Sequence, residues 1–167
     1  MISPTMQNAL NTQINMEQYS SQLYLAMSAH LGQLNFKGFS HWLRVQAGEE
    51  TQHAERLIDF LIDRSGLLEL RNVAAPNPAA NGVIQVFETV LVHEKETTAA
   101  IHKLFELARN ENDFASEITL HWYVTEQVRE EAALAEIVDH LHAVGDQTGA
   151  IWYLDHRMLK RPDDVTS

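Results

Sequence analysis

Six side chains that can bind a metal ion, or hydrogen-bond to its ligands, interrupt otherwise apolar helical stripes in this sequence. They are Glu17, Glu50, His53, Glu94, Gln127 and Glu130. Glu50 and His53 are three residues apart, a spacing that places two side chains on one face of a helix. A buried ionised carboxylate is very unfavourable unless a metal ion or an opposite charge compensates it. Oxygen-rich ligands with one imidazole suit iron better than zinc or copper, so the pattern indicates an iron site.

The spacing of these residues also predicts that they lie at one depth in a helical bundle. Residues equidistant from the turn of an antiparallel hairpin lie side by side. Glu17 and Glu50 are nearly equidistant from the predicted turn at 34–35. Glu94 and the polar pair of the fourth helix are nearly equidistant from the predicted turn at 110–113. Two independent hairpins therefore bring their polar groups to the middle of the bundle.

The elements that position these groups are predicted to be α-helices throughout. The apolar stripes predict five helices, at about 4–33, 36–65, 82–110, 114–143 and 149–160, in one domain over residues 1–167. The segment 66–81 shows no steady period and contains Pro76 and Pro78. Sixteen residues can stretch to about 50 Å, whereas a 28-residue helix is about 42 Å long. We therefore predict an all-α four-helix bundle with a long crossover between helices 2 and 3 and a short fifth helix.

Composition excludes several classes of function. The 167 residues carry a net charge of −11, which argues against nucleic-acid and anionic-membrane partners. The same charge fits cation handling, and it equally fits an ordinary solvated acidic surface. The sequence contains no cysteine, which excludes thiolate zinc sites and Cys-ligated iron. No apolar run approaches the roughly 20 residues that span a bilayer, and no secretory signal is visible, so we expect a cytoplasmic protein.

Four segments of the chain resemble the ferritin family, most closely the bacterial non-haem ferritins. They are residues 16–21, 48–53, 93–94 and 122–127. The resemblance implies that Glu17, Glu50 and His53 hold one iron of a ferroxidase centre. It implies that Glu50 bridges to a second iron, which Glu94 also binds.

The same resemblance assigns roles to three further residues near the second iron. Glu130 is expected to contribute to binding that iron, and Gln127 to position oxygen or water nearby. Tyr24 resembles the near-site tyrosine of the family and is expected to donate either an electron or a hydrogen bond. A packing role with a satisfied hydroxyl group is the alternative for Tyr24.

The resemblance also implies an auxiliary third iron site and makes haem unexpected. Glu49 and Glu126 resemble the ligands of that third site, although a solvated face is the alternative for both. Arg129 stands where such ferritins often have another acid, and a cation there weakens or abolishes the site unless Glu130 replaces the missing acid. Gln52 stands where bacterioferritins use a methionine to bind haem, so no haem is expected.

The implied function is oxidation of Fe(II) to Fe(III) by dioxygen or hydrogen peroxide, with storage as ferric mineral. The implied assembly is a homo-oligomeric cage of 24 subunits. The alternative is a structural shell subunit with weak ferroxidase activity. A DNA-protecting mini-ferritin is disfavoured by the ligand spacing and by a tail that carries Asp163 and Asp164 instead of basic residues. A di-iron oxygenase component is disfavoured by the short chain.

Overall fold

Five helices and no strands account for the secondary structure of the computed structural model, which describes residues 2–77 and 82–162. The helices are α1 Pro4–Gln33, α2 Lys37–Asp63, α3 Val83–Asn110, α4 Phe114–Val144 and α5 Thr148–Met158. The predicted all-α class is therefore confirmed. No helix in these ranges is long and apolar enough to cross a membrane. The acidic tail at Asp163 and Asp164 lies outside the described residues.

α2 ends at Asp63, two residues before the predicted end. Ser65 has a left-handed backbone with φ 56°, which ends the helix. The N–H of Gly66 then donates to the carbonyl of Leu61 at 2.9 Å. A Cβ on Gly66 would lie 2.4 Å from the tip of the Leu61 side chain and 3.0 Å from its carbonyl oxygen, so glycine fits this turn without a shift of Leu61.

Contacts near the helix ends define the topology of the bundle. The rings of Phe39 and Phe87 lie 5.4 Å apart near the starts of α2 and α3, so these two helices are parallel. Ser3, just before α1, donates from Oγ to Glu111 just after α3 at 2.6 Å, so α1 and α3 are antiparallel. The predicted crossover between the second and third helices is confirmed.

The crossover is bound along the outer side of α1 in the part that the structure describes. The buried Asn11 donates from Nδ2 to the carbonyl of Leu67 at 2.9 Å and accepts from the N–H of Glu69 at 2.8 Å. Arg71 donates to Thr12 Oγ1 at 2.8 Å. The two bonds of Asn11 satisfy backbone groups of a loop that has no partner strand. Residues 78–81 of the predicted crossover lie outside the described residues.

α5 is attached to the first turn of α2 by a buried carboxylate. The residue before α2, Phe36, offers no side-chain cap, so the first N–H groups of the helix need another acceptor. Asp155 of α5 supplies it, because its Oδ1 accepts from the N–H of Phe39 at 2.9 Å. The approach is close: a Cβ on Gly38 would lie 1.6 Å from the carbonyl oxygen of Asp155.

Two apolar clusters fill the bundle on either side of a polar layer. The first cluster includes Tyr24, Leu31, Phe39, Phe87 and Leu141. The second includes Met6, Leu10, Leu57, Ile101 and Leu120. The layer between them contains the acids, amide and imidazole that interrupt the apolar stripes of the sequence. Apolar side chains therefore pack above and below this layer, and its polar side chains face one another.

Candidate metal centre

The polar layer contains two groups of three metal-binding side chains that share one member. Glu17, Glu50 and His53 each offer a ligand atom, and these atoms lie within 4.8 Å of one another. Glu50, Glu94 and Glu130 form a second group by the same measure. All five side chains are buried. Glu50 belongs to both groups, which is the position that a bridging ligand would occupy.

Glutamine residues one helical turn earlier orient the acids of α1 and α2. Gln13 donates from Nε2 to Glu17 Oε1 at 2.8 Å, and Gln46 donates from Nε2 to Glu50 Oε1 at 3.2 Å. Both pairs have the i, i+4 spacing that brings side chains together on a helix surface. Both glutamines are buried, so each amide fixes its carboxylate in one orientation.

Glu94 of α3 is held by donors from two other helices. Tyr24 donates from its hydroxyl to Glu94 Oε1 at 2.5 Å. Gln127 donates from Nε2 to Glu94 Oε2 at 3.0 Å and to Thr98 Oγ1 at 3.2 Å. The amide nitrogen of Gln127 is therefore turned towards a ligand carboxylate. Gln127 and Tyr24 fix the position of Glu94 from opposite sides.

His53 is oriented by its neighbours on α2 and α4. Its Nδ1 lies 3.3 Å from Glu50 Oε2, and its Nε2 lies 3.9 Å from Glu130 Oε1. The ring packs edge-on against Trp122, with the ring centroids 5.4 Å apart. Tyr123 donates to the carbonyl of His53 at 2.8 Å, which fixes the backbone of this turn. The imidazole thus faces the carboxylates with both nitrogens.

The carboxyl groups of the centre are energetically unfavourable in their charged form without a cation. Burial raises the pKa of Glu17, and the pKa of Glu50 is raised well above 4.5 by burial and then by the charges of Glu94 and Glu17. Burial and the charges of Glu50 and Glu94 also raise the pKa of Glu130. Among the described residues, neither oxygen of Glu130 has a hydrogen-bond partner. Cations would satisfy both the charge and the unpartnered oxygens.

Tyr24 is held in its protonated form. Burial, and then the charge of Glu94, raise its pKa well above 10. The hydroxyl group therefore acts as a hydrogen-bond donor to Glu94. His93 packs edge-on against Tyr24 with a centroid distance of 5.9 Å, and its Nε2 lies 2.8 Å from Ser20 Oγ. Burial lowers the pKa of His93, which favours a neutral imidazole beside the tyrosine.

Beside the centre, arginine side chains contact the two acids expected at an auxiliary site. Glu126 forms a close ion pair with Arg129. Glu49 is buried, pairs closely with Arg161, and lies 3.7 Å from Arg129 Nη2. Glu126 also comes within ligand distance of His53 and Glu130. The hydrogen bond to Glu126 raises the pKa of Arg129, so this cation is permanent.

An acidic cleft of about 300 Å³ leads from the surface to His53. Its walls carry four acids, Glu49, Glu55, Asp59 and Glu126, against two cations, Arg56 and Arg129, and they also include Gln52. A cleft of this charge concentrates cations near the imidazole.

Three side chains at this centre were not predicted from the sequence. Gln13 and Gln46 carry a signal that could have found them, because each precedes a ligand acid by four residues on an apolar stripe. Arg161 carries none, since it is 112 residues from Glu49 and lies beyond the fifth helix. Only the folded chain brings it to the centre.

Comparison with known proteins agrees with this geometry. Residues 7–144 match the family described as the ferritin-like domain. The chain is 36% identical over 161 residues to the bacterial non-heme ferritin of Bacteroides fragilis strain 638R, covering 96% of this chain and 100% of that protein. It is 31% identical over 164 residues to the bacterial non-heme ferritin of Staphylococcus aureus strain MRSA252, covering 98% and 99%.

A solved structure gives the same result at the level of the backbone. The open pore ferritin of Archaeoglobus fulgidus superposes with a TM-score of 0.96 at 42% identity, covering 97% of this chain and 100% of that chain. The match extends over the helices that supply the polar layer. The chain belongs to the ferritin family.

Proposed function

We propose that this protein oxidises Fe(II) to Fe(III) at a di-iron ferroxidase centre and stores the product as ferric mineral. One observation supports this proposal above all others. Two groups of ligands share Glu50 within a buried layer whose carboxyl groups lack sufficient partners. In this proposal Glu17, Glu50 and His53 bind one Fe(II), and Glu50, Glu94 and Glu130 bind the other.

The chemistry requires two one-electron donors held side by side. Two Fe(II) ions together supply two electrons, which reduce dioxygen to hydrogen peroxide or hydrogen peroxide to water. The carboxylates favour Fe(III) over Fe(II), because the more highly charged ion gains more from a carboxylate-rich site. Binding of the metal displaces protons from carboxyl groups with raised pKa values. Water supplies the two protons that the reduced oxygen then takes up.

The neighbouring side chains have positioning roles in this proposal. Tyr24 and Gln127 hold Glu94, and Gln127 lies where it can also orient oxygen or water. Their contacts with Glu94 support these roles. Electron donation by Tyr24 is the further role that the ferritin resemblance suggests. We place Glu49 and Glu126 at the position of an auxiliary metal site, and they do not bind the main pair of iron ions.

The proposed setting is a homo-oligomeric cage of 24 subunits in the cytoplasm, without haem, nucleic acid or membrane as partners. The protein folds as one ferritin-like domain over residues 1–167 in this proposal. The net charge of −11 supports a surface that attracts Fe(II) rather than polyanions. The similarity to ferritins of known sequence and structure supports this setting.

Aerobic oxidation kinetics test the ferroxidase proposal. Fe(II) is added at two ions per chain, and formation of Fe(III) is followed by near-ultraviolet absorbance in the wild type, Glu50→Ala and His53→Ala. Loss of an outer-shell partner alone costs about 10–100-fold in activity, so loss of a ligand is expected to slow oxidation at least tenfold. Asp63→Ala is the matched control, because Asp63 is an exposed acid on the same helix and does not line the cleft that leads to His53.

Equal rates in all four proteins would remove the ferroxidase assignment and leave the structural shell subunit as the better reading. Light scattering tests the assembly separately. A particle far smaller than a 24-subunit shell would contradict storage in a cage even if oxidation were fast.

A further inference from the structure

Glu49 is a buried acid beside the metal centre whose two oxygens face two different arginines. Its Oε2 forms a close ion pair with Arg161 Nη2, and its Oε1 lies 3.7 Å from Arg129 Nη2. The residue is 5% exposed, and Oε1 has no hydrogen-bond partner among the described residues. The charge of Glu49 is therefore balanced by side chains of the same chain.

Arg129 connects Glu49 to the second acid of this region. The same Nη2 atom that approaches Glu49 also forms the close ion pair with Glu126 Oε1. Both acids lie within ion-pair distance of one guanidinium nitrogen. That nitrogen lies where a metal ion bridging these two carboxylates would have to bind.

Arg161 is held in place by groups other than Glu49. Its Nη1 donates to the carbonyl of Trp42 at 3.3 Å, and its guanidinium carbon lies 4.3 Å from the centre of the Trp42 ring. Its backbone carbonyl oxygen lies 2.7 Å from His41 Nε2. The side chain is only 15% exposed. The segment after α5 is thus fixed against α2, with the cation directed at Glu49.

One further contact links Arg161 to the shared ligand of the centre. Arg161 Nη2 donates to Gln46 Oε1 at 3.1 Å, and the amide nitrogen of Gln46 donates to Glu50 Oε1 at 3.2 Å. Because the amide oxygen is occupied by the arginine, its nitrogen must face Glu50. Arg161 therefore sets the orientation of the hydrogen bond that Glu50 receives.

We propose that Arg129 and Arg161, the arginine pair, replace a third divalent cation beside the main centre and limit that centre to two ions per chain. The inference rests on the proposed function, because it concerns the ion capacity of the same site. Arg161 is a positioning residue in this account, since it acts through Glu49 and Gln46. A third ion bound to Glu49 would leave the mostly buried guanidinium of Arg161 without its counter-ion, which is unfavourable. A covalently attached cation is also present at every metal concentration.

Zinc-soaked crystals test the proposal, because anomalous scattering counts ions at each position without any oxidation. The wild type is compared with Arg129→Gln, Arg161→Gln and the double variant. Two peaks are expected in the wild type and in each single variant, because one arginine still neutralises Glu49. A third peak between Glu49 and Glu126 is expected in the double variant. Arg157→Gln is the matched control, because Arg157 is an exposed cation of α5.

Each outcome decides the question. Two peaks in the double variant, a third peak in the wild type, or a third peak in either single variant would overturn the proposal. Arg161→Met, which keeps an apolar chain over Trp42, replaces Arg161→Gln in the double variant if the glutamine form does not assemble. Combining Arg129→Gln with Arg161→Lys is expected to restore two peaks. Absence of both main peaks in the wild type would instead contradict the proposed function.

Discussion

Glu50→Gln is expected to stabilise the metal-free protein while it weakens metal binding. The substitution keeps the shape of the side chain and an oxygen that can accept from Gln46. It removes a buried negative charge that lies beside Glu94 and Glu17. A residue kept for metal binding at the expense of the metal-free fold should show this opposite pair of effects.

The size of the stabilisation follows from the raised pKa of Glu50. A raised pKa in the folded state means that stability is highest below the ordinary value of 4.5 and falls as the pH rises towards the folded value. At pH 7 the loss of stability cannot exceed the distance between pH 7 and 4.5 multiplied by about 1.36 kcal/mol per pH unit, which is about 3 kcal/mol. Because the side chain is 1% exposed, solvent screening does not reduce this limit. For a chain of this size the limit corresponds to a rise in melting temperature of about 6–12 °C.

Thermal unfolding with a chelator present, at pH 7 and at pH 5, measures the effect. The gain of Glu50→Gln over the wild type is expected to be larger at pH 7 than at pH 5. Added Zn²⁺ at about 100 times its dissociation constant should stabilise the wild type by about 2.7 kcal/mol and the variant by less. Asp63→Asn, an exposed acid of α2 outside the cleft, is the control and should change neither quantity. A metal-free Glu50→Gln protein that melts below the wild type at pH 7 would refute the reasoning.

Three further predictions follow from contacts of the centre and of α5. Tyr24→Phe removes a donor to buried Glu94 and is expected to lower the free energy of unfolding by about 1–3 kcal/mol in chemical denaturation; an unchanged midpoint would contradict it. Gly38→Ala forces α5 away from α2, because the new Cβ would lie 1.6 Å from the carbonyl oxygen of Asp155. Hydrogen exchange in α5 should then accelerate, whereas Gly48→Ala, which meets no atom within 4 Å, should leave exchange unchanged. Zn²⁺ affinity measured by calorimetry should fall as the pH falls from 8 to 6, because the metal competes with protons for carboxyl groups whose pKa is raised. An affinity independent of pH would show that these groups are not ligands.

The helices and the depth of the polar layer were predictable because both follow from short-range periodicity. The apolar stripes repeat every 3.6 residues, and their polar interruptions occur at matched distances from the two hairpin turns. That pattern places Glu17 beside Glu50, and Glu94 beside the polar pair of α4, without any knowledge of side-chain contacts. The sharing of one acid by two groups was predicted only from the ferritin resemblance. Periodicity does not specify which oxygen faces which neighbour.

The parts that were not predictable depend on contacts between distant segments. The end of α2 is a separate, local case. It depends on the left-handed backbone of Ser65, a residue that the sequence does not mark as a helix terminator. The attachment of α5 depends on Asp155 reaching the N–H of Phe39 across 116 residues. The pairing of Arg161 with Glu49 likewise depends on where α5 ends after docking. No local pattern encodes these distances, because each is set by packing of the whole bundle.

In the proposed function two iron ions bind side by side and are oxidised together. Mössbauer spectroscopy of the protein loaded aerobically with two enriched iron ions per chain distinguishes such a pair from isolated ions. We expect a spin-coupled pair of Fe(III) ions in the wild type, and loss of that coupled signal in Glu50→Ala. A spectrum of isolated Fe(III) ions in the wild type, with no coupled pair at any time after mixing, would contradict the proposed function.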